Sequence, residues 1–169
     1  DEDDALAWVA VSAGHDDIVL ATRLGKIARF DEEKVRAMGR DARGVIGITL
    51  ARKGDQVVGM EVIPSHQADI LVLTDTGYGK RVPLSEFRTM GRPTQGVRLI
   101  SLEGSKTGDV ATVRIVEETD EELLLISASG QVVRTDVKSV NRYSSGARGV
   151  IVMRLNEGDE VAGIAVFRA

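Results

Sequence analysis

Short apolar runs that lead into a glycine turn recur along the chain at a nearly constant spacing. Three equivalent four-residue runs begin at Ile18, Ile70 and Leu123, which lie 52 and 53 residues apart. Each run is followed within a few residues by a glycine, at positions 25, 77 and 130. Glycine supplies the positive φ that tight hairpin turns require. The pattern therefore predicts a β-hairpin in each of three copies of one repeat.

Each repeat continues with further runs rich in Val, Ile and Thr, which favour β-strands. The second strands are predicted at 26–30, 78–82 and 131–135, the third at 45–50, 97–102 and 150–155, and the fourth at 57–62, 110–116 and 161–167. The sequence predicts no helix of normal length. Residues 31–36 and 83–87 predict single helical turns, the second with a proline at its first position, where proline is well tolerated.

Four strands in a repeat of this length predict an all-β fold of propeller-like blades, with about four antiparallel strands per blade. The blades are predicted at residues 17–63, 69–116 and 122–167. Residues 4–9 match residues 55–60, so residues 1–13 are predicted to hold the closing strand of a preceding blade. Residues 1–169 are thus interpreted as one partial domain, three blades plus one strand, cut from a longer array.

The composition limits which cell compartment the chain is expected to occupy and which kinds of site it can form. The 169 residues contain no cysteine, which excludes disulfides and thiolate metal sites and favours a reducing cytoplasm. No apolar run approaches the length of a membrane span, and the acidic start at residues 1–4 is unlike a signal peptide. The chain is therefore predicted to be cytoplasmic, with no membrane partner.

The net charge of −4 conceals a strong segregation of charge. Residues 23–53 carry nine Lys or Arg against four acids, whereas residues 78–98 and 131–154 each carry five against one. The remainder of the chain is correspondingly acidic. Because a protein's field depends on where its charges lie, a basic stripe on an acidic body is predicted.

Motifs that resemble catalytic or ligand sites have simpler interpretations. Asp75-Thr76-Gly77 resembles an aspartic-protease loop, but its equivalents in the other repeats are Arg23-Leu24-Gly25 and Ala128-Ser129-Gly130. The glycine spacing of residues 39–44 resembles a phosphate loop, yet a valine stands where that motif needs lysine. Two histidines, His15 and His66, are too few for a transition-metal site. No catalytic residue, metal site or cofactor is therefore predicted.

Basic residues, by contrast, recur at equivalent positions. Arg29, Arg81 and Arg134 match one another, and three further pairs are Arg36 with Arg88, Arg40 with Arg92, and Arg43 with Arg148. Stacked in consecutive blades, such residues would form a ribbon that neutralises successive phosphates and releases counterions. Such binding is independent of base sequence and sensitive to salt.

The repeats closely resemble the C-terminal domain of bacterial DNA gyrase A. The residues that carry the resemblance are Gly25-Lys26-Ile27-Ala28-Arg29-Phe30, Val35 to Arg40 and Gly44-Val45 in the first repeat, Thr76 to Arg81 in the second, and Gly130 to Thr135 in the third. The resemblance covers essentially the whole chain. It implies the last three of six blades of a β-pinwheel, whose blades exchange strands with their neighbours. The sibling family is the corresponding C-terminal domain of topoisomerase IV.

The resemblance implies a non-catalytic segment that binds and bends double-stranded DNA around a basic rim and supports negative supercoiling in the whole enzyme. The implied partners are the remainder of the gyrase A polypeptide and the enzyme's separate ATPase polypeptide. The implied DNA-binding residues are Lys26, Arg29, Arg36, Arg40, Arg43, Lys80, Arg81, Arg88, Arg92, Arg134, Arg142 and Arg148. The family's basic box, Gln-Arg-Arg-Gly-Gly-Lys-Gly, is absent from this sequence. The segment is therefore expected to bind DNA weakly. The loops at residues 38–45 and 90–97 are expected to carry most of the affinity, because the third copy has Ser144 and Ser145 where the first has Gly39 and Arg40.

Two alternatives accompany this interpretation. The chain could be a propeller-type protein-interaction module whose arginines only solubilise it, or the equivalent domain of topoisomerase IV.

Three blades also leave an unpaired sheet edge and an apolar blade face, both of which favour association. We therefore expect two copies to pair, three blades with three, into a closed ring.

Overall fold

Three antiparallel sheets form the protein in the computed structural model, which describes residues 3–63, 67–117 and 119–168, with backbone alone for 120, 121 and 168. His66 lies outside the described residues. The strands are β1 Asp17–Thr22, β2 Lys26–Asp31, β3 Val57–Ile63, β4 Asp69–Thr74, β5 Tyr78–Pro83, β6 Val97–Arg98, β7 Val110–Val116, β8 Asp120–Ser127, β9 Val132–Asp136, β10 Val150–Ile151 and β11 Val161–Arg168. The sheet orders are β3-β1-β2-β6, β10-β5-β4-β7 and β11-β8-β9. The predicted all-β architecture is confirmed.

The glycine turns form the hairpins that the sequence predicts. Gly25, Gly77 and Gly130 have φ values of 80°, 90° and 91°. The amide of each donates to the carbonyl three residues earlier, at 3.0 to 3.1 Å. The turns set the registers β1·β2, β4·β5 and β8·β9, in which Ala21 lies opposite Ile27 and Leu73 opposite Gly79.

Short 3₁₀ turns follow the second strand of each repeat, at Glu32–Lys34, Leu84–Glu86 and Val137–Ser139. The first two lie within the segments predicted to form single helical turns. Asp31 caps the first, because its carboxylate accepts from the Glu33 amide at 2.8 Å. A fourth 3₁₀ turn spans Gly104–Lys106. No helix among the described residues is long and apolar enough to cross a membrane.

The third strand of a repeat joins the sheet of the repeat before it. Strand β6 pairs with β2, with Val97 opposite Ile27 and Arg98 opposite Lys26. Strand β10 pairs in the same way with β5 of the second sheet. This is the strand exchange that the resemblance implies. Both strands are two residues long, much shorter than predicted, because they turn away after this brief contact.

Two predicted strands are missing from the described chain. Residues 45–50 form no strand, because their repeat has no preceding sheet in the described chain to receive them. Residues 4–9 likewise form no strand and pair with no sheet, and Leu6 and Val9 are 86% and 80% exposed. Neither segment is a strand in this structure, since an extended segment needs an edge to pair with. The assignment of residues 1–13 to a preceding blade stays a prediction.

The apolar core consists of two layers, each between two successive sheets. In the first layer Val19 and Ala21 of β1 pack with Ile70 and Val72 of β4. In the second layer Leu71 and Leu73 use the other face of β4 to pack with β8. Every residue of β4 is buried, because this strand lies between two neighbouring sheets. This stacking fixes the loops at the sheet edges.

Candidate nucleic-acid interface

Three loops carry the repeated basic positions, and we call residues 35–44, 87–96 and 140–149 basic loops 1, 2 and 3. Basic loop 2 lies on the first sheet, where the Met90 amide donates to the Arg29 carbonyl at 2.7 Å. Basic loop 3 lies on the second sheet, where the Tyr143 amide donates to the Arg81 carbonyl at 2.9 Å. Each of these loops is thus held by the sheet of the preceding repeat.

Four of the predicted arginines are exposed and form no ion pair among the described residues. Three belong to basic loop 1 and one to basic loop 2: Arg36, Arg40, Arg43 and Arg88. A guanidinium in water with no carboxylate partner can exchange its solvation and counterions for a phosphate without first breaking a contact within the protein. These four side chains are therefore the strongest candidates for binding a polyanion.

Lys26 lies in a second basic group, whose other members, Arg52 and Arg98, are not among the residues that the resemblance implies. It is half-buried, pairs in register with Arg98, and shares a groove of about 250 Å³ with Arg98 and Arg52. Arg98 comes opposite Lys26 only because β6 joins the preceding sheet. The missed signal was the pairing register, which spacing within one repeat does not reveal.

The remaining exposed candidates are engaged by carboxylates. Arg142 lies 2.9 Å from Asp69, and Arg148 lies 2.9 Å from Glu103. Arg134 forms an ion pair with Glu122. Glu122 and Glu103 are themselves partly exposed, so Arg134 and Arg148 can still be drawn to a stronger anion. Asp69 is buried, with its side chain 4% exposed, and therefore holds Arg142 more firmly.

Arg92 makes several contacts within the protein. Its guanidinium donates to the carbonyl of Ile46 at 2.9 Å and to that of Lys34, and its central carbon lies 5.9 Å from the centroid of the Phe30 ring. The side chain therefore holds the two residues that flank basic loop 1, Lys34 and Ile46, to basic loop 2.

Arg29 and Arg81 face inward, contrary to their predicted place on the rim. Arg29 is 7% exposed, donates to Asp17 at 2.7 Å, and also donates to the carbonyls of Leu84 and Phe87. Arg81 pairs with Asp69 at 3.2 Å and donates to the Val140 carbonyl at 2.7 Å. Both arginines therefore hold the next repeat against their own sheet, and neither can reach a phosphate in this structure.

Lys80 is also placed inward, and its side chain is fully buried. Its ammonium donates to three carbonyls of basic loop 3, those of Ser144, Ser145 and Ala147, at 2.6, 3.1 and 2.7 Å. Burial lowers the pKa of Lys80 to about 8, an effect that the Glu86 carboxylate partly opposes. Lys80 therefore positions basic loop 3 and is not available to contact DNA.

The pKa of Lys80 predicts a measurable pH dependence of stability. The folded chain releases the Lys80 proton near pH 8, whereas the unfolded chain holds it to the ordinary pKa of 10.5. Between these values the unfolded state binds more protons, so the free energy of unfolding should rise with pH relative to that of Lys80→Met. Urea denaturation of both proteins from pH 7 to 10 measures this difference.

Lys106→Met is the control, because it removes an exposed ammonium that does not contact basic loop 3, and this variant should keep the rise with pH that Lys80→Met loses. A difference between the wild type and Lys80→Met that stays constant across this range would contradict the assigned environment of Lys80.

Asp75, the residue of the protease-like motif, forms hydrogen bonds with Asp109 in the turn before β7. Its carboxylate accepts from the Asp109 amide at 3.1 Å, and burial raises its pKa. The Asp75 amide in turn donates to the Asp109 carbonyl at 2.9 Å. The side chain therefore joins the second hairpin to the turn before β7.

Comparison with known proteins identifies a matching family and several relatives of the chain. The family model described as "DNA gyrase C-terminal domain, beta-propeller" matches residues 16–64, 68–117 and 121–168. The DNA gyrase A polypeptide of Staphylococcus epidermidis is 36% identical over 165 residues, which are 97% of this chain and 18% of that protein. The gyrase A polypeptide of Staphylococcus aureus is 35% identical over the same length. The chain thus spans about a fifth of the curated relatives it matches.

Two solved structures share the fold. A DNA gyrase A C-terminal domain superposes with a TM-score of 0.83 at 27% identity, covering 90% of this chain and 51% of that one. The C-terminal domain of DNA topoisomerase IV superposes with a TM-score of 0.84 at 24% identity, covering 92% of this chain and 47% of that one.

Proposed function

The chain belongs to the family of DNA gyrase C-terminal domains, and from this premise we propose that it binds double-stranded DNA without reading its sequence. The observation that carries the proposal is the set of four exposed arginines in basic loops 1 and 2 that form no ion pair within the described part of the chain. Their positions at the surface of consecutive blades suit contacts to successive phosphates. The segment contributes binding, whereas the chemistry of strand cleavage and ATP hydrolysis belongs to other parts of the enzyme.

Contacts to the phosphate backbone fit this surface better than base readout. The described residues offer no α-helix for the major groove and no exposed row of aromatic side chains for stacking. A protein that holds DNA at several points around a curved rim favours a bent duplex. We therefore infer that the segment bends the DNA it binds and so supports negative supercoiling in the whole enzyme.

The proposed partners follow from the family. They are double-stranded DNA, the remainder of the gyrase A polypeptide and the enzyme's ATPase polypeptide, all in the cytoplasm. Because the family's basic box is absent from this sequence, the segment should bind DNA more weakly than a version extended to include that box. Comparing the two versions in one assay tests how much of the affinity the described blades supply.

A mobility-shift titration tests the proposal against the protein-interaction alternative. Two duplexes of unrelated sequence should be retarded equally at low salt, and the retardation should be lost steeply as salt rises. Ligation of nicked circles in the presence of the protein should shift the topoisomer distribution if the DNA is bent and wrapped. Absence of retardation at the lowest salt would overturn the proposal in favour of an interaction module.

A further inference from the structure

The strand pair that joins the first repeat to the second places two cations directly opposite each other. Lys26 of β2 lies opposite Arg98 of β6. Residues directly opposite in an antiparallel pair have Cβ atoms about 4.5–5.5 Å apart on one face of the sheet, and like charges there are destabilising. The equivalent pair between β5 and β10 is Tyr78 with Ile151, which carries no charge. The cation pair therefore belongs to the first of these joints and is not required for joining repeats.

No carboxylate relieves this repulsion within the described part of the chain. Lys26 and Arg98 form no ion pair there, and their side chains donate no hydrogen bond to a protein atom. Arg52 is exposed, likewise forms no ion pair with the described residues, and lines the same groove of about 250 Å³. Three cations thus share one concave surface at a cost to the sheet, an arrangement that proteins keep mainly at functional sites.

The two acidic side chains beside the groove already have partners. Asp109 lines the groove and pairs with Arg23 at 2.7 Å. Asp55 lines a smaller cavity that shares residues with the groove, and its carboxylate accepts from the amides of Leu24 and Gln56 at 3.0 and 2.9 Å. The groove therefore keeps an excess of positive charge.

Backbone hydrogen bonds fix the walls of the groove. The Leu99 amide donates to the Gly25 carbonyl and the Val110 amide to the Arg23 carbonyl, both at 2.8 Å. A Cβ placed on Gly25 would lie 3.1 Å from the Ile100 carbonyl oxygen, so the hairpin turn and the segment after β6 are in close contact. The backbone that carries the paired cations is therefore preorganised, which lowers the cost of binding a ligand.

We propose that this groove binds a phosphate group, which bridges Lys26 and Arg98 and is also contacted by Arg52. A phosphate offers several acceptor oxygens and a negative charge that relieves the repulsion, and the planar guanidinium of arginine matches its geometry. Ser101, half-buried in the groove, adds a hydroxyl donor. The volume of about 250 Å³ holds a phosphate with bound water, since one water molecule takes about 30 Å³.

The groove is separate from basic loops 1 and 2. Basic loop 2 is held at the Arg29 carbonyl, which lies three residues, about 10 Å, along β2 from Lys26. Two sources could supply the phosphate, namely inorganic phosphate in solution or the backbone of a bound duplex. The phosphate site itself does not rest on DNA binding by the basic loops.

Thermal denaturation in sodium phosphate and in sodium chloride of equal ionic strength tests the site. If phosphate binds with a Kd of about 5 mM, about 50 mM phosphate should raise the Tm of the wild type by about 3–6 °C. Because phosphate also stabilises folded proteins in general, the rise is compared with that of two variants. Arg98→Met should lose it, whereas Arg154→Met, which removes an exposed cation outside the groove, should keep it.

In chloride alone, Arg98→Met should be at least as stable as the wild type, because the like-charged pair is gone. Equal rises in Tm for the wild type and both variants would overturn the proposal.

Fluorescence anisotropy with a labelled random duplex identifies the source of the phosphate. If DNA supplies it, Arg98→Met should weaken DNA binding by about 5- to 10-fold at 0.1 M salt, the share of one phosphate contact. If the groove takes inorganic phosphate alone, Arg98→Met should bind DNA as the wild type does. Arg88→Gln, in basic loop 2, is the converse control, since it should weaken DNA binding and keep the response to phosphate.

The two proposals can fail separately. A wild type that does not bind DNA but keeps a phosphate response that Arg98→Met lacks would retain the groove site alone. A loss of DNA affinity in Arg98→Met without any change in its phosphate response would rule out a phosphate site in the groove and leave Arg98 as part of the general positive surface.

Discussion

Replacing Arg29 with methionine is expected to lower the free energy of unfolding by about 3–5 kcal/mol. The guanidinium is 7% exposed, pairs with Asp17 and donates to the carbonyls of Leu84 and Phe87. Its removal takes the cation from a carboxylate that is 8% exposed and takes donors from two carbonyls of the next repeat. Urea denaturation followed by circular dichroism measures the loss.

Arg148→Met is the matched control for this experiment. Its ion pair with Glu103 is about 40% exposed on both sides, so its loss should cost no more than about 1 kcal/mol. If the two variants were equally stable, Arg29 would have to be solvated, and its assigned role in holding the second repeat to the first sheet would be wrong.

Neutralising the four exposed arginines of basic loops 1 and 2 is expected to weaken DNA binding by about 10³-fold at 0.1 M salt, if each contacts one phosphate. The variant carries glutamine at Arg36, Arg40, Arg43 and Arg88, and its stability should hardly change because these side chains are exposed. Fluorescence anisotropy with a labelled random duplex measures the affinity.

The control variant removes the same number of charges outside the basic loops, by glutamine at Lys106, Arg114, Lys138 and Arg154, which are also exposed. It should lose far less affinity than the loop variant. Equal losses in the two variants would mean that total charge, and not the loops, determines binding.

The features of the fold that depend on local chemistry could be predicted from the sequence. The hairpins at Gly25, Gly77 and Gly130 follow from apolar runs that end at residues able to adopt positive φ, and repetition identified the blades. Strand exchange came only from the resemblance, because pairing of Val97 with Ile27 is set by contacts between repeats. The same dependence explains why residues 45–50 form no strand.

The candidate site was harder to predict, because burial of a charged side chain depends on what covers it. The resemblance places Lys80 on the rim, although its equivalents Ala28 and Val133 are apolar, which is typical of an inward-facing position. For Arg29 and Arg81 the signal was the acid that begins each hairpin, Asp17 or Asp69, since a carboxylate that recurs 12 residues before an arginine indicates an ion pair across the hairpin. Repetition of charge alone did not separate binding residues from structural ones.

The salt dependence of DNA affinity tests the central claim most directly. Plots of log K against log salt concentration are measured for the wild type and for the variant of Arg36, Arg40, Arg43 and Arg88. Since each phosphate contact contributes about 0.9 to the slope, the slope should be shallower by about 3 to 4 in the variant. Identical slopes for the two proteins would contradict the assignment of these arginines to the DNA interface.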